Sequence, residues 1–296
     1  MNNTDKKKVV LIGANGQLGT DIVRMFRQKD VFKVIPLTVE DLNITRPKQM
    51  NDILHHYDPD IVINTASYIQ VDLSEEEAET AFNVNAVAVK HLCDTCIDVN
   101  AVLLHLSTDY VFDGKSFKPY LEEDCPDPVS IYGISKLAGE MIIRYRMNQY
   151  FIIRVSGLYG HAGPMGKQAN FVDMIYQKAL HKESIKVVDD QRLTPTYTVD
   201  AANAIHDLLE TEHFGIYHLT NSGDCTWFEF AREICILCGF EQNIQKVQTG
   251  YFGEKARRPA YSVLENRKLK EIGIHEMSHW KDALHRYLLE KGYIAV

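Results

Sequence analysis

No apolar run in this 296-residue sequence is long enough to cross a bilayer, and the polar stretch Met1 to Lys8 lacks the apolar core of a signal peptide. No membrane partner is expected, and a cytoplasmic location is. Basic clusters are few and short, Lys6 to Lys8 and Arg257-Arg258, and the formal net charge is -8. That balance repels a polyanion, so nucleic acid is not an expected partner. Internal repeats and low-complexity stretches are missing, which sets aside a fibrous or disordered chain. Cysteine is scarce, with six residues in all. Cys93 with Cys96, and Cys235 with Cys238, each fall on one face of a helical stretch. Zinc-binding pairs usually sit in tight turns, so these four read as small buried hydrophobes in a reducing compartment, and no metal is expected.

What the chain has instead is core material: 45% of its residues are hydrophobic and only 24% are charged. Short Val- and Ile-rich runs, Val9-Gly13, Lys33-Leu37, Ile61-Thr65, Val102-Ser107, Phe151-Val155, Lys186-Val188 and Ile216-Leu219, alternate with segments of helical period. The helical segments are Gln17-Gln28, Pro47-His56, Glu75-Asp98, Ile131-Met147, Ala169-Leu180 and Val199-Glu210, then Trp227-Leu237 and His279-Glu290. This rhythm predicts an α/β fold, a doubly wound, Rossmann-like parallel sheet of about seven strands. The rhythm loosens where Gly157, Gly160, Gly163 and Gly166 crowd together, a loop and a domain seam. Residues 1–162, with 184–222 adding strands, are read as the dinucleotide-binding domain, and 163–183 with 223–296 as a smaller C-terminal substrate domain.

Three motifs carry chemistry. The first strand runs into a helix through Gly13-Ala14-Asn15-Gly16-Gln17-Leu18-Gly19. Glycines at 13, 16 and 19 allow a tight turn and close backbone approach, and a helix N-terminus offers free N–H groups to a pyrophosphate. A dinucleotide is the ligand this calls for. The second strand ends in Thr38, with no acid at its tip and no Lys or Arg before Arg46, so NADPH and NADH both remain open. The fourth strand ends in Ser107-Thr108-Asp109-Tyr110, and a helix opens on Tyr132-Gly133-Ile134-Ser135-Lys136. Tyr132 and Lys136 are one turn apart, so an ammonium is positioned to lower the phenol from its ordinary pKa of about 10. The Thr108 hydroxyl is then available to hydrogen-bond a carbonyl oxygen during hydride transfer.

Together these motifs resemble the extended short-chain dehydrogenase/reductase superfamily, and within it the dTDP-4-dehydrorhamnose reductase family. The resemblance runs through Val71-Asp72, Asn85, Ser107 to Gly114, Tyr132 to Glu140, Leu158-Tyr159-Gly160, Asn170-Phe171, Asp190-Gln191 with Pro195-Thr196, and Arg258-Pro259. It implies Thr108, Tyr132 and Lys136 as the catalytic trio. It extends the cofactor set to Asn43, Ala66, Tyr68 and Asn85, beside the glycine turn, Tyr132 and Lys136. It implies Asp72, Tyr110, Asn170 and Arg258 as residues lining a sugar-nucleotide site, while the residues alone read equally as helix caps at Asp72 and Asn170 and a solvated charge at Arg258. The implied reaction is reduction of a 4-keto group, dTDP-4-dehydrorhamnose to dTDP-rhamnose, for a cell-surface polysaccharide. A homodimer is left open.

The chain departs from the family pattern at Gly157, where a Trp is usual, at Leu73, where a Lys is usual, and in Gln191-Arg192-Leu193-Thr194, which lacks a glycine. These departures predict a looser, less positive sugar pocket and leave the sugar itself open. A dehydratase is disfavoured because Tyr110 stands where those enzymes carry an acid after Thr-Asp. Two other readings stay open: a nucleotide-sugar epimerase, and a non-catalytic dinucleotide-binding subunit similar to the regulatory β subunit of methionine adenosyltransferase, toward which Gly157 and Arg192 lean.

Overall fold

Four consecutive residues of the first strand, Val9 to Ile12, are buried almost completely, as befits a strand covered by helices on both faces. In the computed structural model, which describes residues 6–163, 169–241, 243–274 and 276–295, that strand is an interior strand of a parallel sheet. Gly166 and Met1 to Asp5 lie outside the described residues. The sheet strands are β1 (Lys8–Ile12), β2 (Lys33–Leu37), β3 (Ile61–Asn64), β4 (Val102–Thr108), β5 (Tyr150–Val155) and β6 (Gly215–His218). Their order is β6-β5-β4-β3-β1-β2. The chain steps outward from β1 to β2, then returns across β1 to β3. Such a reversal opens a crevice at the carboxyl ends of β1 and β3, where doubly wound sheets take their ligands.

Helices cover both faces. On one, α1 (Gln17–Lys29) and α7 (Thr198–Leu209) pack Ile22, Phe26, Ile205 and Leu208 onto Val9 and Leu11. On the other, α2 (Pro47–Tyr57), α4 (Ala88–Asp98) and α5 (Ile131–Arg146) set Leu54, Leu92 and Ile143 against Val10 and Ile12. Each fully buried side chain of this size stabilises the fold by about 1.5–3 kcal/mol relative to exposure. Cys93 and Cys96 sit in this second cluster, and Cys235 in a third. That third cluster joins α6 (Phe171–Leu180), α8 (Trp227–Leu237) and α9 (Trp280–Glu290) through Val172, Phe230, Ile234, Trp280 and Tyr287.

Two elements differ from the sequence expectation. The segment expected as one of the sheet strands, Lys186-Val188, lies within Ile185–Val188, which pairs instead with Ile244–Val247 in a separate two-stranded ribbon. Its Lys186 faces solvent between buried Ile185 and Val187, an alternation that suits a one-sided ribbon rather than a strand buried on both faces. The long helix expected over Glu75-Asp98 is broken into a 3₁₀ turn at Leu73–Glu75, α3 (Ala78–Phe82), a π turn at Asn83–Val87, and α4. The break falls at Glu77, whose backbone is not helical, with φ -103° and ψ 46°.

Candidate active site

The turn after β1 closes on itself. Gly13 takes a φ of +84°, which disfavours a side chain, and its N–H donates to the Leu37 carbonyl at 2.9 Å. A Cβ on Gly19 would collide with the Gly13 carbonyl oxygen, so that position tolerates only glycine on this backbone. Gly16 precedes α1 without any side chain to cap it, and the first turn of α1 carries no acid. The leading N–H groups of a helix have no partner within it, and here no side chain takes their place. They border a cavity of about 300 Å³ whose lining includes Gly13, Gly16, Gln17, Leu18 and Gly19. Val39, Leu42, Asn43, Ile44, Thr45, Ala66, Ser67 and Tyr68 line it as well. No Lys or Arg is among these described lining residues. Thr38 at the tip of β2 is engaged by Asp41, which accepts from its N–H and its hydroxyl at 2.9 Å each.

Not every expected cofactor residue is part of that lining. Asn15 is exposed and lies outside it, as do Tyr132 and Lys136. Asn85 acts at one remove. The π turn aims its amide at the loop after β3, where Oδ1 accepts the Tyr68 N–H at 2.9 Å while Nδ2 donates to the Tyr68 carbonyl at 3.1 Å and to Ser135 Oγ at 2.9 Å. A π turn of this kind often marks a functional position.

The fit of a nicotinamide dinucleotide rests on this cradle. Three glycines, an uncapped helix start and a largely apolar cavity at the reversal of strand order suit a pyrophosphate with a base beside it.

Beyond the cavity, Thr108 ends β4 and Ser130 starts α5, its hydroxyl accepting the Gly133 N–H at 3.2 Å. Gly133 lets the helix press on the backbone of Tyr110, because a Cβ there would strike the Tyr110 carbonyl. This brings the Tyr132 and Tyr110 rings edge to face, 5.8 Å apart. The Thr108 and Ser67 hydroxyls face the Tyr132 phenol, yet burial, seconded by the Asp109 charge, pushes its pKa up to about 12. Lys136 is not lowering it. Its Nζ donates to the Leu106 carbonyl at 2.6 Å and lies 3.4 Å from His105 Nε2, both on β4. Burial pulls the Lys136 pKa down to about 8 against the opposing charge of Glu140. The expected Tyr132–Lys136 coupling is thus corrected: a buried amine takes the strongest acceptor in reach, and the end of β4 supplies it.

On the substrate side, Asp72 and Arg258 form a two-pronged ion pair, 2.7 and 3.1 Å, and Asp72 also accepts from the N–H groups of Lys255 and Ala256. Hydrogen bonding to Arg258 holds the Asp72 carboxyl below its ordinary range. Arg258 also lies beside Tyr110, whose phenol is pushed up chiefly by burial. Three of the four expected sugar-site residues therefore converge. The fourth, Asn170, does not. It caps α6, accepting the Asp173 N–H at 3.0 Å and donating to the Gly160 carbonyl at 2.8 Å and the Tyr287 hydroxyl at 2.7 Å. Its amide is fully used in the core, 3% exposed.

Gly157, where a looser pocket is expected, packs against the 193–195 stretch. Gly157 has a φ of +53°, and a Cβ built on it would sit 2.7 Å from Leu193 Cδ1. The space beside the glycine is filled by a residue of the very stretch that lacks the usual glycine. Sequence reading passed over Ser67, which lies just past the end of β3, and Asp109, which accepts hydrogen bonds from Thr108 at 3.0 Å and Ser156 at 2.8 Å. Strand-end position is the signal that reaches Ser67. Asp109 was hidden by its burial, 4% exposed, which no local pattern reports.

Known proteins resemble this chain in sequence and fold. A computed family model, the RmlD substrate binding domain, matches residues 7–292. The spore coat polysaccharide biosynthesis protein SpsK of Bacillus subtilis is 42% identical over 285 residues, 96% of this chain and 98% of that protein. A dTDP-4-dehydrorhamnose reductase of Streptomyces griseus is 34% identical over 282 residues, 93% of this chain and 91% of that one. Among solved structures, the dTDP-4-dehydrorhamnose reductase of Bacillus anthracis in complex with NADP superimposes with a TM-score of 0.92 at 36% identity, covering 97% of this chain and 100% of that one. The chain belongs to the RmlD substrate binding domain family.

Proposed function

We propose that this protein is an NAD(P)H-dependent oxidoreductase that reduces the 4-keto group of a nucleotide-linked deoxysugar. The observation that carries the reading is the uncapped start of α1 bordering the cavity at the carboxyl ends of β1 and β3, with Thr108 and Tyr132 close by at the end of β4. The cofactor is NADPH or NADH; the glycine turn and the α1 N–H groups would hold its pyrophosphate, and Val39, Leu42, Asn43 and Ile44 would receive its adenosine end. When bound, the reduced nicotinamide supplies hydride to the keto carbon. Tyr132 gives its phenolic proton to the carbonyl oxygen, and Thr108 stabilises the charge that develops there. Lys136 would stabilise the Tyr132 phenolate and hold the nicotinamide ribose. Asp72, Tyr110 and Arg258 face the sugar nucleotide, Arg258 being the cation suited to its diphosphate.

The substrate proposed is dTDP-4-dehydrorhamnose, reduced to dTDP-rhamnose for a surface polysaccharide. Relatives named for that reductase activity and for spore coat polysaccharide support it. The test is oxidation of NADPH and NADH against a panel of dTDP- and other nucleotide-linked 4-keto sugars. Turnover is expected, fastest with dTDP-4-dehydrorhamnose. A protein that binds cofactor and turns over none of the panel would be a binding subunit instead.

A further inference from the structure

His105 lies in the interior of β4, and no step of the proposed reduction uses it. It is 0% exposed, as is Asn64 beside it on β3, and Lys136 is 2% exposed. The Ala66 N–H lies 3.1 Å from the side-chain oxygen of Asn64. A backbone N–H only donates, so that atom must be the oxygen, and the amide nitrogen of Asn64 is the atom that meets His105 Nδ1 at 3.1 Å. Nδ1 is then an acceptor, and the one proton of a neutral imidazole sits on Nε2. Nε2 faces Lys136 Nζ at 3.4 Å, while Nζ donates to the Leu106 carbonyl at 2.6 Å. An ammonium in this place would set donor against donor. A neutral amine would accept the imidazole proton with its lone pair.

The geometry points to His105 as a positioning residue that docks Lys136 on β4 as a neutral amine, so that protonation of Lys136 releases its side chain toward Tyr132. This rests on the roles of Tyr132 and Lys136 in the function proposed above.

The groups facing Lys136 agree with it. On α5, Tyr132 stands one turn before and Glu140 one turn after. Glu140 favours an ammonium, but its carboxylate is already bonded to Arg154 of β5 at 2.9 and 2.6 Å and to Ser107 of β4. From β4 comes His105, which burial and the nearness of Lys136 keep neutral. Burial outweighs Glu140 and brings Lys136 to about 8. In this arrangement burial pushes the Tyr132 phenol up to about 12. Below its pKa, Lys136 is charged and leaves the dock; above it, the lysine is neutral and docked. Turnover therefore falls as pH rises through the Lys136 pKa.

The test is the titration midpoint of Lys136 in the whole chain, read by ¹³C NMR on protein labelled at lysine Cε, with Lys136→Met assigning the resonance. The wild-type midpoint is expected near 8, apart from the exposed lysines. In His105→Gln, whose amide oxygen is free to accept from an ammonium, the midpoint should move toward the ordinary lysine value of about 10.4. The alkaline limb of kcat/KM against pH should move with it. His105→Asn, smaller and also an acceptor, gives the same reading if the Gln variant fails to fold. An unchanged midpoint in a folded variant, or a wild-type Lys136 that titrates with the exposed lysines, would overturn the assignment. A midpoint that shifts in a protein with no sugar turnover would support the role of His105 in docking while removing the reductase reading.

Discussion

Tyr132 is the residue on which the chemistry turns, and its environment makes the consequence of losing it specific. The phenol is buried near the Thr108 and Ser67 hydroxyls, held well above its ordinary value, and lies outside the lining of the cofactor cavity. Tyr132→Phe removes the proton donor alone, so kcat on a nucleotide-linked 4-keto sugar should fall by about 10² to 10⁴. Direct titration should show NADPH affinity nearly intact, and full turnover in this variant would refute the assignment. Behind the site, the Glu140–Arg154 pair is 0% and 1% exposed. Glu140→Gln leaves the Arg154 guanidinium buried with its charge uncompensated, a loss of about 3–5 kcal/mol on breaking such a pair. Urea unfolding measures it, and a change below 1 kcal/mol, roughly the scale of an exposed pair, would show that solvent reaches Arg154. The i, i+4 spacing made Tyr132 and Lys136 legible as a pair, but spacing fixes where a side chain starts and says nothing about where a flexible lysine ends.

At the scale of elements, the β1-to-α1 turn separates two roles for glycine. A Cβ on Gly19 meets the backbone oxygen of Gly13, whereas one on Gly16 meets only that same oxygen at 3.1 Å. Gly19→Ala should therefore lower the melting temperature without any ligand. Gly16→Val should leave the ligand-free melt nearly unchanged and abolish NADPH binding, because the added methyls occupy the approach to the helix N–H groups. Equal losses in the two ligand-free proteins would undo this division. At the start of α8, Thr226 accepts the Glu229 N–H at 3.1 Å in a reciprocal capping box and donates to Asp189 at 2.8 Å. Thr226→Ala should cost about 0.5–2 kcal/mol in chemical denaturation, the range for a lost cap. The glycine turn was readable because it is local. The π turn within the helix after β3 was not, since it is held by Asn85 reaching to Tyr68 and Ser135, partners distant in sequence.

The whole molecule supplies what neither scale does, a crevice where the strand order reverses between β1 and β3. A ligand that binds only the native state stabilises it by mass action, about 2.7 kcal/mol at a hundredfold excess over Kd. NADPH or NADH should accordingly raise the melting temperature of the wild-type protein in a concentration-dependent way. No shift with either, in a folded sample, would sink the cofactor reading. Among the described residues, no helix is long and apolar enough to cross a membrane.

By itself the sequence determined the alternation of strands and helices, the glycine turn, and the presence of Thr108, Tyr132 and Lys136 on elements that end at one edge. These follow from backbone periodicity and from residue types whose conformational needs are local. Tertiary structure alone decided that Ile185–Val188 leaves the main sheet, that Asn170 spends its amide on a helix cap, and that Leu193 fills the space beside Gly157. It also decided that Lys136 lies on β4 against Leu106 and His105. In each case the outcome was a competition for one partner or one volume among residues far apart in the chain, and the winner is set by packing and by the demand that buried polar groups be satisfied.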